Sequence, residues 1–252
     1  METQRGSVAA KSILYRKALA VCALSIAATV ASAGSSDKCP ETRDFSEAFS
    51  LDGIRDISIE AGAGKLAVVG RPGLTAVRVE AVACAESERD LEKIRLESGR
   101  DGATLVLQAV LPTHAKLLFG RERPKLDLEI QVPSAFAIRI VDSSGSLAVQ
   151  GVESVEIYDD SGSILVQDVP GLVHVLQDGS GSITVERAGS VRIDEDGSGS
   201  ITASAIAEDV YVGRDGSGSI SADTVGGSFT VVSDSSGSVR HSNVVGAVRI
   251  EE

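Results

Sequence analysis

The sequence has few aromatic residues: they make up 3% of its 252 residues, and tryptophan is absent. A chain with so few rings has few platforms on which sugars or bases could stack. It also lacks an excess of positive charge, because its formal net charge is −12, which disfavours binding to nucleic acid or to an anionic membrane surface. The core must therefore be built from valine, isoleucine, leucine and alanine.

A long membrane-spanning run is also absent. The apolar residues 18–30 form a stretch shorter than the ~20 residues that a transmembrane helix needs. Basic residues precede this stretch, and Ala31-Ser32-Ala33 after it fits a signal-peptide cleavage site. We therefore predict that residues 1–33 are a signal peptide, and that the mature chain is exported to the periplasm or secreted to the cell surface without inserting into a membrane. An uncleaved anchor is the alternative.

Cysteine is scarce, and only Cys39 and Cys84 follow the predicted signal peptide. In an oxidising compartment the simplest expectation for two cysteines is a disulfide. Such a bond would stabilise the fold by roughly 4 kcal/mol. Two free thiols are the alternative, and a zinc site is not supported because no further ligands lie nearby in the sequence.

No long helix is predicted after the signal peptide. Residues 34–133 show the period-two alternation of β-strands, and we predict that they form a β-rich N-terminal portion that caps the rest and is continuous with it. A charged segment at 86–93 fits a short helix or a turn. The alternating aliphatic residues are Ile57/Ile59, Leu66/Val68, Val77/Val79, Ile94/Leu96, Leu105/Leu107 and Leu126/Leu128/Ile130/Val132.

Residues 134–252 are a repeat array built on the triplet SGS. Its central glycines recur at spacings of 17, 19, 18, 19 and 19 residues. Serine precedes and follows each of them, aliphatic residues stand two and usually four positions later, and aspartate stands three positions earlier. The glycines, predicted to be structural turns, are Gly145, Gly162, Gly181, Gly199, Gly218 and Gly237. The aspartates are Asp142, Asp159, Asp178, Asp196, Asp215 and Asp234.

Each unit of this array contains two short alternating segments, too few for a propeller blade and without the helix of a leucine-rich repeat. The pattern predicts an all-β fold, a right-handed parallel β-solenoid of about six coils of 17–19 residues with two short strands per coil. From the third unit on, one extra residue around Gln177 and its equivalents separates the second strand from the turn, which predicts a β-bulge.

The phrase DGSGS has three interpretations. As a corner, aspartate begins a type I turn and accepts a backbone N–H two residues on, while glycine supplies a positive φ. As a cation ladder, stacked aspartates ~4.8 Å apart would repel by roughly 0.9 kcal/mol per pair in water, and calcium would relieve the repulsion. As a linker it would be flexible, but the aliphatic alternation between the phrases argues against this.

No catalytic motif is found. The segment AGAGKL at 61–66 lacks the first glycine and the Ser or Thr of a phosphate loop. His114, His174 and His241 are scattered without ligand spacing: His114 falls in a proline-flanked loop, His174 should face outward, and His241 falls in an inward column at the last coil. We predict neither an enzyme nor a cofactor, with calcium as the one ion considered.

The export signal, the segment DISIEAGAGKLAVVG and the run of SGSI units together resemble the bacterial putative-adhesin family of β-solenoid domains, including its head GIN type. The resemblance covers roughly residues 45–252 and implies adhesion, without defining functional residues. The stretch VACAES around Cys84, with Cys39, also looks like family members with paired cysteines.

We therefore expect an exported, non-enzymatic protein of the cell envelope, a binding scaffold that presents an acidic surface to an envelope protein or glycan. The charge lies mainly in residues 134–252, which hold 18 acidic and 6 basic residues. One alternative is a structural module that associates end to end through its open C-terminal coil. The other is a polysaccharide-active enzyme on a β-helix.

Overall fold

The computed structural model of the chain describes residues 39–112 and 124–251. About three quarters of these residues are in β-strands, which belong to one hydrogen-bonded system of 18 strands. The predicted signal peptide and His114 lie outside the described residues. In the described part of the chain no helix has the length and apolar character needed to cross a membrane.

The strands of the N-terminal portion are β1 (Glu41–Ser50), β2 (Asp56–Glu60), β3 (Ala63–Arg71), β4 (Ala76–Ala85), β5 (Arg95–Asp101), β6 (Thr104–Val110) and β7 (Lys125–Pro133). The repeat array contains β8 (Ala137–Asp142), β9 (Ser144–Gln150), β10 (Ser154–Asp159), β11 (Gly162–Asp178), β12 (Gly181–Asp196), β13 (Gly199–Ile206), β14 (Val210–Asp215), β15 (Gly218–Val225), β16 (Phe229–Asp234), β17 (Gly237–Val244) and β18 (Val248–Ile250). The charged segment after β4 forms one helical turn, α1 (Glu88–Leu91), which Ser87 caps.

Parallel, in-register pairing of successive repeats builds two walls. The first wall contains β6, β2, β8, β10, the second halves of β11 and β12, then β14, β16 and β18. The second wall contains β7, β3, β9, the first halves of β11 and β12, then β13, β15 and β17. The predicted parallel β-solenoid is therefore confirmed.

The core between the walls consists of the aliphatic columns that the alternation predicted. In the coil that contains β12, Ile183, Val185, Val191 and Ile193 are each at most 2% exposed. Burial of these side chains is the main favourable contribution to folding, at roughly 1.5–3 kcal/mol for each fully buried valine or isoleucine. The predicted bulge is also present: Ile157 pairs with Val175 and Tyr158 with Gln177, which leaves Leu176 unmatched.

The parallel stack continues into the N-terminal portion. Strands β2 and β3 form a coil against β8 and β9, and β6 and β7 form another coil outside it. Gly64 pairs with Gly145 and has a φ of +141°, so AGAGKL is a divergent copy of the repeat. The similarity was visible in the sequence, because the segment GKLAV at 64–68 differs from GSLAV at 145–149 in one residue.

Antiparallel strands close the N-terminal end. β4 pairs with both β7 and β1, and β5 pairs with β6. The disulfide Cys39–Cys84, with a Cα–Cα distance of 5.9 Å, ties the start of β1 to the end of β4. Strand β1 was not expected from the sequence, because most of its side chains are exposed and no apolar alternation marks it.

The corner opposite the DGSGS turn also has a repeated backbone conformation. Six positions after each SGS glycine, the residue has a left-handed φ between +53° and +71°. The occupants of this corner column are Gly151, Asp168, Arg187, Ala205, Thr224 and Asn243. Such angles are uncommon outside glycine and cost roughly 1–3 kcal/mol. Sequence analysis missed this corner because its residue type varies.

The SGS glycines are required by two constraints. Their φ values lie between +133° and +159°, a region that side chains disfavour. In addition, a Cβ built on each glycine would overlap the backbone carbonyl of the preceding glycine in the column: on Gly199 it would overlap Gly181. The expected positive φ is therefore present, and close contact between coils adds a second reason for glycine.

We predict that Gly199→Ala lowers the free energy of unfolding by roughly 3 kcal/mol or more, because both the backbone angle and the coil spacing must change. Urea denaturation followed by far-UV circular dichroism measures the loss. Gly99→Ala is the matched control, since a Cβ there meets no atom within 4 Å. Equal stability of the two variants would contradict this account of the column.

We also predict that reducing Cys39–Cys84 lowers the free energy of unfolding by about 2–4 kcal/mol, because the bond closes a loop across 45 positions of sequence separation. Chemical denaturation with and without a reducing agent measures the effect. The double variant Cys39→Ser/Cys84→Ser should match the reduced protein and should not respond to reductant. A reduced protein as stable as the oxidised one would contradict the prediction.

Candidate functional site

The six repeat aspartates form one column, which we call the aspartate column. The strand register places Asp142 beside Asp159, and the same pairing continues through Asp234. The first five side chains are at most 2% exposed, and Asp234 is half-buried in the last coil. The turn thus encloses these carboxyl groups and removes them from solvent, so the repulsion estimated for carboxylates in water does not apply to them.

Three of the aspartates accept a backbone hydrogen bond within their own turn, as the corner interpretation predicted. An Oδ1 atom of Asp159 accepts a hydrogen bond from the backbone N–H of Ser161 at 3.2 Å, and Asp178 accepts one from Ser180 at the same distance. In the first coil Asp142 accepts from Ser143 at 2.8 Å. These bonds are local, so they account for only part of each carboxyl group.

The remaining oxygens lack hydrogen-bond partners. The Oδ2 atoms of Asp142, Asp159 and Asp178 are buried and unbonded, and at least one oxygen of every other column member is in the same state. An unpaired polar atom out of contact with water is costly, and an unpaired charge is more so. The column is therefore the main electrostatic anomaly in the described part of the chain.

Burial raises the pKa of five column members. The pKa of Asp142 and of Asp178 rises to about 6, and that of Asp196 rises to about 7. Burial is the largest cause for each, and the neighbouring carboxylates add to it. The pKa values of Asp159 and Asp215 are raised in the same direction, while backbone N–H groups partly oppose the shift in all five.

The column does not resemble a metal site. In residues 39–112 and 124–251, no group of three or more His, Cys, Asp or Glu side chains is arranged to hold a metal ion. The calcium ladder stays a prediction. Burial of the column also makes the surface of residues 134–252 less acidic than expected, since five of their 18 acidic residues are out of contact with solvent.

A shallow groove lies on the outside of the first wall, where β2, β8, β10 and β11 run side by side. Its volume is about 390 Å³. Its lining includes the outward side chains of Asp56, Ser58, Arg139, Glu156, Leu172 and His174. Seven of the twelve lining residues are polar or charged and five are apolar, so the groove combines hydrogen-bonding groups with aliphatic surface.

A series of ion pairs and hydrogen bonds connects the groove with the next coils. Arg139 lies 3.5 Å from Glu156, whose carboxylate lies 4.0 Å from His174 Nδ1. His174 Nε2 lies 2.8 Å from Asp194, and Arg192 lies 2.7 Å from the same carboxylate. The Arg192 guanidinium then covers the Tyr211 ring, 4.6 Å from its centroid. We call these six side chains the charged row.

The charged row was not found from the sequence. His174 faces outward as expected, but the sequence did not show that Glu156 and Asp194 flank it. The pairing depends on the register between coils, which places Glu156 on one side of His174 and Arg192 on the other, with Asp194 two residues after Arg192. His241 lies in the inward column of the exposed last coil, beside Ala222, with its ring 6.2 Å from that of Phe229.

No protein-family model matches the sequence, and no curated protein matches it. Among solved structures, a putative cell adhesion protein from Clostridium sporogenes matches with a TM-score of 0.45 and 11% identity, over 83% of this chain and 99% of that one. A putative adhesin from Bacteroides fragilis matches with a TM-score of 0.33 and 15% identity, over 84% and 99% of the two chains.

A putative lipid binding protein from Parabacteroides distasonis matches with a TM-score of 0.32 and 13% identity, over 86% of this chain and 98% of that one. The resemblance to putative adhesins that the sequence suggested is thus met again in the names of matched structures.

Proposed function

We propose that this chain is an exported, non-enzymatic binding scaffold of the cell envelope, an adhesin in the broad sense, whose first wall binds an envelope glycan. The observation that carries the proposal is the groove with its charged row. It presents arginine donors, carboxylate acceptors and serine hydroxyls on a rigid wall. Sugar hydroxyl groups both donate and accept hydrogen bonds, so they match this mixture.

The composition of the groove favours a glycan over a protein partner. Protein interfaces depend on a few large apolar or aromatic anchors. In the groove Leu172, at 41% exposure, is the large apolar side chain on offer, and Tyr211 lies two coils further along. A row of hydrogen-bonding groups that repeats with the ~4.8 Å strand spacing instead suits an extended, polar chain.

Two features support a scaffold rather than an enzyme. The carboxyl groups with strongly raised pKa values, which are the usual candidates for acid–base catalysis, are enclosed in the aspartate column and out of reach of a substrate. The groups on the open wall are paired with one another.

Export is supported by the Cys39–Cys84 disulfide, since such bonds persist in oxidising compartments.

We predict that Arg139→Ala weakens glycan binding by roughly tenfold, equivalent to about 1.4 kcal/mol, because the variant removes a donor at the centre of the groove. The side chain is 61% exposed, so the fold should be unaffected. Binding of the mature chain to an array of bacterial envelope glycans, followed by calorimetry with the best ligand, measures the effect.

The matched control is Arg240→Ala, which removes an exposed arginine from β17 on the second wall. It should bind as the parent does. Equal losses in both variants would indicate nonspecific charge attraction, and a parent that binds no glycan on the array would overturn the proposal. Turnover of a bound glycan would replace the scaffold with the enzyme alternative.

A second candidate function is assembly through the C-terminal end, and a specific observation favours it. Among residues 39–112 and 124–251, β17 pairs with β15 alone and β18 with β16 alone, and Val245, Val248 and Ile250 are 81%, 37% and 39% exposed. Open edges with apolar side chains favour pairing with another chain. His241 and the three-residue length of β18 act in the opposite direction, because polar inward residues and short edges protect sheet ends.

If this end pairs with a second copy, the mature chain should elute as a dimer at high concentration in size-exclusion chromatography with light scattering. Val245→Lys should then restore the monomer, because a charge replaces the most exposed apolar side chain of the end. Val82→Lys, at a 42% exposed valine of β4, is the control and should leave the dimer intact. A parent that stays monomeric at every concentration would contradict assembly.

A further inference from the structure

The aspartate column poses a problem that its turn role does not solve. Five carboxyl groups are enclosed one above another, each with at least one oxygen that contacts neither water nor a donor. If all were ionised, their charges would be both unpaired and mutually repulsive in a poorly solvated corner. Something must satisfy these oxygens, and the choices are protons or cations.

We propose that neighbouring carboxyl groups of the aspartate column share protons, so that in mild acid the folded solenoid holds protons that the unfolded chain has released. In each shared pair the protonated oxygen of one aspartate donates its O–H to an ionised or free carbonyl oxygen of the next. The proton stays between the two groups, and no other donor or acceptor is required. The column is then a proton-binding element of the fold.

The geometry allows this arrangement. Column members are consecutive rungs of an in-register parallel sheet, so their backbones are separated by ~4.8 Å. A hydrogen bond between carboxyl oxygens needs about 2.5–3.0 Å. In Asp159 and Asp178 the Oδ1 atom accepts from the turn and the Oδ2 atom is free, whereas both oxygens are free in Asp196 and Asp215. Each of these rungs thus has at least one free oxygen available to a proton shared with its neighbour.

The one basic residue next to a column member in the sequence, Arg214, is paired with Glu195 at 3.3 Å. Asp160 adds negative charge, since its carboxylate raises the pKa of Asp142 and Asp159. None of the ion pairs found among the described residues includes a column member. At the N-terminal end the next coil has Ala61 in the aspartate position, so the column ends there against an apolar residue.

The direction of the pH effect follows from the raised pKa values. The neutral form is favoured in the folded state, so folding takes up protons between the ordinary aspartate pKa near 3.8 and the raised values of about 6 to 7. The stabilisation from the column is complete below the ordinary pKa and is lost as the pH rises through the raised values. The protein should therefore be more stable in mild acid than in mild base.

The test compares thermal melting of the oxidised mature chain at pH 5 and pH 8. We expect the melting temperature of the parent to fall by roughly 5 °C or more over this range. Asp196→Asn keeps the shape of the central column member but cannot ionise, and should reduce that fall by roughly 3 °C or more. Histidines also change charge in this range in general, so the difference between variant and parent carries the test.

The matched control is Asp52→Asn, at an exposed aspartate outside the column, which should leave the pH dependence unchanged. An Asp196→Asn variant with the full pH dependence of the parent would overturn the proposal. If this variant does not fold, Asp178→Asn replaces it, and carbon NMR of aspartate carboxyl groups in the parent gives an independent measurement. Several aspartates must then titrate above pH 5.

Calcium provides the outcome that separates protons from cations. Melting of the parent at pH 8 with excess calcium chloride, or with a chelator, should give the same midpoint. A rise with calcium that Asp196→Asn abolishes and Asp52→Asn retains would show that the column binds cations instead of protons. A carbon NMR titration in which all aspartates ionise below pH 5 would also contradict shared protons.

Discussion

In-register parallel stacking is the constraint on which the rest of this structure depends. Each residue of a coil lies beside its equivalent in the next coil, at the strand spacing of ~4.8 Å. This stacking favours aliphatic columns, because each aliphatic side chain packs on the equivalent side chain of the next coil and water is excluded from the space between the two walls. Glycine columns become obligatory, since a side chain on one SGS glycine would occupy the space of the preceding carbonyl. One geometric rule therefore sets both the core and the turns.

The same rule has an electrostatic cost in the aspartate column. The aspartate that forms the turn in one coil lies beside the equivalent aspartate of the next coil, so every coil places a carboxyl group beside another. On an exposed corner water would screen the contact. Enclosure of the column removes that screening, and protonation is the response that requires no additional group. Stability is thereby connected to pH through a residue whose evident role is to form a corner.

The outward positions are free of this constraint, and there the repeats diverge. Along the second strands the residues that face solvent change from Arg139 to Glu156, His174 and Arg192, and they pair across coils instead of repeating. The two ends of the described strands differ as well: antiparallel strands and a disulfide close the first coil, whereas β18 in the last coil pairs with β16 alone. Variation in residue type is thus located on the outside of a wall and at an end, whereas the core repeats.

The sequence by itself determined the solenoid, its aliphatic columns, the glycine turns and the bulge, because each is written as a residue type at a fixed interval. The copy at AGAGKL was also readable, although its turn residues had diverged. Tertiary structure alone decided three other features: whether the aspartates face water or the interior, which outward side chains meet in the charged row, and where β1 lies. Periodicity states which residues share a column, but the direction of a corner side chain and the contacts between coils arise only when the chain is folded.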